Sequence, residues 1–97
     1  MSPIIDHIDT KLAGIKAMRR DVIAALPPLT ESSVTLHGKA YSIALWKDHL
    51  EDDSIRVVVQ GYRAILLGIG SMRVRGFVVS SKGEFRDLPV EEMWEFT

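Results

Sequence analysis

The sequence predicts an α+β fold: a long N-terminal helix packed on an antiparallel meander sheet of four to five strands, with a short C-terminal helix. Three observations carry this. Apolar residues recur every three or four positions up to Pro27-Pro28, the period of a helix face. Beyond that pair they alternate two by two between glycine-bearing turns, the period of half-buried strands. The stretch Pro89 to Phe96 returns to helical spacing, with Val90, Met93 and Trp94 on one face and glutamates on the other. One domain over residues 1–97 follows, with a helix at about 3–26, strands within about 33–86 and a short helix at about 89–96.

The first helix opens with Ser2 as cap and Pro3 where a missing N–H costs nothing. Ile4, Ile8, Leu12, Ile15, Met18/Arg19, Val22 and Leu26 form its stripe, which Ile5 and Ile23 widen. Asp6 and Asp9 near the start and Arg19 and Arg20 toward the end suit the helix dipole. Gly14 weakens the middle by roughly 1 kcal/mol against Ala and points to a close backbone approach. Pro27-Pro28 ends the helix.

Val34 to Leu36 and Tyr41 to Trp46 then read as a hairpin closed at His37-Gly38-Lys39. Tyr41, Ile43 and Leu45 point one way, and Ser42, Ala44 and Trp46 the other. Lys47 to Ser54 reads as a solvated turn. Ile55 to Gln60 is a strand with a break near Gly61, Tyr62 to Leu67 follows, and Gly68 to Ser71 turns the chain into Met72 to Ser80. A tight turn at Ser81 to Glu84 leads to a short strand at Phe85-Arg86. In Tyr62 to Ile69 both alternating sets are partly apolar, which implies that the second sheet face is also covered. The C-terminal helix and a second subunit, in a homodimer, are the expected covers.

Composition excludes several classes of function. Among 97 residues, 46% are apolar and 26% charged, the balance of an ordinary globular domain. The absence of cysteine removes disulfides, thiol catalysis and thiolate metal sites. The absence of asparagine removes any N-glycosylation sequon. A formal charge of −1 argues against a generic polyanion binder. That figure conceals four blocks: residues 1–30 sum to +1, 31–54 to −3, 55–86 to +5 and 87–97 to −4. An acid at position 6 and no apolar run longer than seven residues predict neither signal peptide nor membrane span. A cytoplasmic, bacterial protein is the expectation.

Catalytic and metal motifs are sparse. His7, His37 and His49 lack the short spacings of a metal motif, and Asp48 to Asp53 lacks the alternation and glycine of a calcium loop. Gly68-Ile69-Gly70-Ser71 lacks the third glycine and following helix of a dinucleotide fingerprint. No Gly-x-Ser-x-Gly elbow or Ser-x-x-Lys element occurs, and Glu84, Asp87, Glu91 and Glu92 read as a wet surface rather than as general acids and bases. No catalytic residue, cofactor or metal is assigned.

Two binding readings remain. Arg56, Arg63, Arg73 and Arg75 form a candidate basic patch which, near Trp46 or Phe77, would suit single-stranded nucleic acid. Carboxylate partners on these arginines would argue against it. Ile65, Leu67, Ile69, Met93, Trp94 and Phe96 form a candidate protein interface, rich in the residue types that interfaces favour. The second reading is preferred: a non-enzymatic interaction domain that self-associates and binds another protein, in an accessory, inhibitor or immunity-like role. A small-molecule-binding or enzymatic domain is the remaining alternative, and would need a concave pocket of converging polar groups.

The segment Gly76-Phe77-Val78-Val79-Ser80-Ser81-Lys82-Gly83, with Leu88-Pro89 and Glu92-Met93-Trp94-Glu95-Phe96 after it, resembles the strand–turn–helix ending of small uncharacterised bacterial α+β proteins. The element order also resembles the cystatin-like arrangement. These resemblances imply a fold and no transferable active site.

Overall fold

The computed structural model of the chain describes residues 3–66 and 69–93. Two helices, α1 (Pro3–Lys16) and α2 (Arg20–Ala24), precede five strands: β1 (Leu29–Leu36), β2 (Lys39–His49), β3 (Ile55–Leu66), β4 (Ile69–Val79) and β5 (Phe85–Asp87). A 3-10 turn at Val90–Glu92 follows. The strands pair in sequence order, β1-β2-β3-β4-β5, all antiparallel. The predicted N-terminal helix and antiparallel meander are therefore present. Of the helix predicted over 89–96, only the 3-10 turn is seen, and residues 94–97 lie outside the described set.

The N-terminal helix is not continuous to residue 26. Arg19 is extended at φ −67°, ψ 152° and separates α1 from α2. The break changes which residues turn inward. Ile4, Ile8, Leu12 and Ile15 of α1 are buried, and so is Ile23 of α2. Met18 and Val22, which an unbroken stripe would bury, are 40% and 44% exposed. Arg20 fixes the new direction: its Nε donates to the carbonyl of Ser80 at 3.0 Å and its Nη2 to that of Asp53. The far end of α2 is held by Lys47, 9% exposed, whose Nζ donates to the Ala24 carbonyl at 3.0 Å. Lys47 to His49 thus belongs to β2 and not to a solvated turn.

Turn chemistry sets the register. His37 and Gly38, at φ 52° and 76°, close the β1–β2 hairpin between Leu36 and Lys39, the two-residue turn whose twist suits paired strands. Between β2 and β3, Asp53 adopts φ 65° while Asp52 Oδ1 accepts the Ser54 amide at 3.1 Å and also its hydroxyl. These bonds hold the Asp52 carboxyl below its ordinary value. β1 begins at Leu29, earlier than the alternation shows, because an edge strand exposed along its first five residues carries no apolar signature.

The main core lies between the helices and one sheet face. Ile43, Leu45, Ile55, Val57, Val59, Phe77 and Val79 meet the buried residues of α1 and α2 there. Gly61 is no strand break: β3 runs through it, and a Cβ at that position would stand 2.7 Å from Ile4 Cδ1. The close backbone approach is at Gly61, whereas Gly14 has open space around it. On the opposite face Val58 and Val78 are covered by Leu88 and Met93. The chain's own C-terminal segment therefore supplies part of the cover that the two-sided apolarity demands. The long strands set the shape, 43 Å by 24 Å by 23 Å.

Candidate functional site

β4 is eleven residues long and β5 only three. β5 pairs with Phe77, Val78 and Val79, and one more bond runs from the Leu88 amide to the Gly76 carbonyl at 3.0 Å. Pro89 has no amide to continue the ladder, and the chain turns away, with the Glu92 amide bound to the Pro89 carbonyl at 3.0 Å. Among the described residues the outer edge of β4 from Ile69 to Arg75 has no strand beside it. The Gly76 carbonyl points outward, and in an antiparallel strand the two backbone groups of a residue point the same way and alternate along the chain. The amides and carbonyls of Met72 and Val74 therefore face this open edge as well.

Next to the edge lies a groove of about 580 Å³ between α1 and β4. α1 supplies Ile5, Asp9, Leu12 and Lys16 to its wall, and Leu88 and Met93 stand at its far end. Its charges are mostly matched. Lys16 Nζ lies 2.8 Å from Asp87 Oδ1 and 5.4 Å from the centre of the Phe77 ring. Phe77 in turn meets Phe85 edge-on at 5.5 Å. The Lys16 hydrogen bond, then its charge, with a smaller contribution from Arg75, hold the Asp87 carboxyl below its ordinary value. Arg75 Nε lies 3.4 Å from Asp9 Oδ1. Arg73 is exposed and donates to the Met72 carbonyl at 3.0 Å; among the described residues it has no carboxylate partner.

A second, shallower depression of about 470 Å³ occupies the opposite sheet face beside Ser42, Ala44, Gln60, Tyr62 and Met72. The depression is there because Ser42 and Ala44 are too small to fill the face between Glu31 and Gln60. Glu31 stands at its rim, and Gln60 Nε2 lies 3.1 Å from Met72 Sδ.

The four arginines of the predicted basic patch do not share a face. Register places Arg63, Arg73 and Arg75 opposite Ser71, Gly61 and Val59, on the helix side. Arg56 lies opposite Val78 on the other side and binds Asp48 through two nitrogens, at 3.0 Å and 2.6 Å. The single stripe differs from the structure because 56 and 63 have opposite parity along one unbroken strand.

Of the candidate interface, Met93 is 2% exposed and packs within the chain's own second core. Ile65 and Ile69 lie in β3 and β4 by backbone. Their side chains, and Leu67, Trp94 and Phe96, lie outside what is described. His7 lies on α1, His37 in the β1–β2 turn and His49 at the end of β2, and no group of three His, Asp or Glu among the described residues is placed to hold a metal ion. No helix among them is long and apolar enough to cross a membrane.

The groove residues Asp9, Lys16, Val74 and Asp87 carry no motif. One signal does reach the sequence: Leu88-Pro89 directly after a short strand limits how far that strand can cover its neighbour. No known family model, curated protein or solved structure matches the chain.

Proposed function

We propose that this chain is a non-catalytic, cytoplasmic protein-interaction domain that takes up an extended segment of another protein as an added strand on β4. The observation that supports this reading most is the mismatch between β4 and β5, which leaves outward-facing backbone donors and acceptors beside a groove walled by α1. Strand addition to such an edge takes its affinity from main-chain hydrogen bonds and its specificity from alternate side chains. The groove suits holding rather than proton transfer, since Asp9 and Asp87 are each engaged by a cation.

Self-association is a second reading, favoured by the other edge. β1 is an outer strand of eight residues with Glu31 as its one charge, and Leu29 on it is 37% exposed. Edges that avoid pairing usually carry more charge, a bulge or a proline.

Selection from a displayed library of random peptides tests the first reading. Bound peptides should protect the Met72 and Val74 amides from exchange, and Val74→Pro should abolish binding while the β3–β4 pairing remains, since the Val74 amide faces away from β3. Enriched peptides indifferent to Val74→Pro, or no enrichment, would overturn it. Light scattering after gel filtration reads the second: a dimer lost on Ser33→Pro, whose amide faces away from β2, supports pairing through β1, and a monomer at high concentration excludes it.

A further inference from the structure

We infer, resting on the reading of β4 as a capture edge, that the segment it takes up is acidic, with a carboxylate placed opposite Arg73 on the helix side. The charge pattern of the edge carries this. Arg73 and Arg75 stand on the same face of β4, two residues apart. Arg75 is already turned toward Asp9 at 3.4 Å. Arg73 is exposed and donates to the Met72 carbonyl, an edge acceptor that an added strand would take over, and Arg63 lies diagonally across on β3, on the same face. A strand laid along the open edge would bring a helix-side residue opposite Arg73, at about 5 Å between Cβ atoms.

The same arginines select against a second copy of this edge. In a two-fold pairing of β4 with itself, an axis at 72, 73 or 74 brings the arginines of the two copies together. Centred on Met72, Arg73 lies diagonal to the second copy's Arg73; centred on Arg73, the two are directly opposite; centred on Val74, Arg73 faces the second copy's Arg75. Like charges opposite one another destabilise a strand pair, and basic side chains on an edge are a common defence against self-pairing. An occupant bringing a carboxylate converts that defence into recognition, since a guanidinium binds carboxylate through two parallel bonds.

Position matters as well as charge. Asp9 and Asp87 also border the groove, so a second acid opposite Arg75 would compete with Asp9 for it. The favoured segment has one acid at the Arg73 position and uncharged residues toward Gly76. A nucleic-acid strand would present phosphates along its whole length, past both aspartates.

The test uses the full chain and four fluorescent octapeptides of alternating Val and Thr, with Glu, Gln, Lys or phosphoserine at one central helix-side position. Fluorescence anisotropy should show the Glu peptide binding roughly five-fold tighter than the Gln peptide and the Lys peptide weakest. Raising salt should narrow the Glu–Gln gap, and Arg73→Glu should reverse the order of Glu and Lys. Phosphoserine binding as Glu does would widen the ligand class to anions on an extended chain. Equal binding of Glu and Gln peptides, lost on Val74→Pro, would overturn the acidic preference and keep strand capture. Binding of the Glu peptide unaffected by Val74→Pro would overturn both, leaving only surface charge attraction. No binding by any peptide would overturn strand capture itself.

Discussion

The two faces of this sheet are covered by different means. The helix side is met by regular helical elements, in which Ile4, Ile8, Leu12 and Ile15 of α1, with Ile23 of α2, pack in one core with Ile55, Val57, Val59 and Phe77. The other side is met in part by an irregular segment, in which Leu88 and Met93 reach back over Val58 and Val78. A regular element must repeat its contacts at its own period, so the strand positions directly beneath its buried stripe become apolar. An irregular segment touches only where it crosses, and the rest of that face keeps Ser42, Ala44 and Gln60. The stability of the molecule should therefore be concentrated on the helix side, and a pair of neighbouring substitutions tests that division.

The largest effect belongs to Phe77, wholly buried beneath α1. Phe77→Ala should destabilise by about 3–5 kcal/mol, read as a fall in the urea midpoint with an unchanged slope. Val78→Ala, its neighbour on the other face, should cost about 1–2 kcal/mol, because it removes less volume from a smaller cluster. Equal losses would mean that the two cores are equally important and the division is false.

Two glycines differ by what stands against them and not by the face they lie on. A Cβ at Gly76 would stand 2.6 Å from the Val57 carbonyl oxygen and 3.1 Å from Leu88 Cδ1. Backbone cannot move aside cheaply, so Gly76→Ala should cost about 3 kcal/mol. At Gly61 the obstacle is the end of the Ile4 side chain, which can change rotamer, and Gly61→Ala should cost about 1 kcal/mol. Adding Ile4→Ala to Gly61→Ala should cost less than the two changes summed, since the first removes the clash made by the second. Strict additivity would place the strain elsewhere.

These positions also show what could be read from the chain before its fold. The alternation of Tyr41, Ile43 and Leu45 and the His37-Gly38 turn are local signals, and each had its structural counterpart. Gly61 was legible as an anomaly but not as a contact, because what it accommodates is Ile4, 57 residues earlier. The helix break at Arg19 left no mark either. It depends on Arg20 finding two carbonyls in distant turns, while the apolar spacing runs through it unchanged. The groove was hidden for the same reason: it exists because β5 stops before β4 does, and its charges come from α1, β4 and β5 together. The basic block was visible as composition; its division between two faces is set by parity along β3.

Arg20 allows the α2 junction to be tested directly. It ties the helix to the β2–β3 and β4–β5 turns on the helix side only, so Arg20→Ala should cost about 1–2 kcal/mol and speed amide exchange in α2 before it does so in α1. Arg20→Lys should recover less than half, because a single ammonium cannot span two carbonyls as the guanidinium fork does. Uniform exchange through both helices would show that α2 needs no such anchor.

The smallest effect lies where the helix side meets the groove. Asp87 is held below its ordinary 3.8 first by the hydrogen bond from Lys16 and then by its charge. A carboxyl whose folded value is depressed contributes stability above its unfolded value and loses that contribution as pH falls through the folded one. Asp87→Asn should thus cost about 0.2–1 kcal/mol at pH 7, the range of an exposed pair, since 82% of the Asp87 side chain is open to water. The deficit should shrink as pH drops below 3.8 and vanish once wild-type Asp87 is itself protonated. Asp52, also depressed but through Ser54, keeps its acid dependence in the variant and serves as an internal control. Lys16 also lies 5.4 Å from the centre of the Phe77 ring, a contact that does not involve the Asp87 charge, so Lys16→Met should retain part of its cost at low pH where Asp87→Asn does not. That residue would separate the contact made to the core from the contact made across the groove. An equal, pH-independent loss in both variants would assign the whole effect to packing and none to the ion pair.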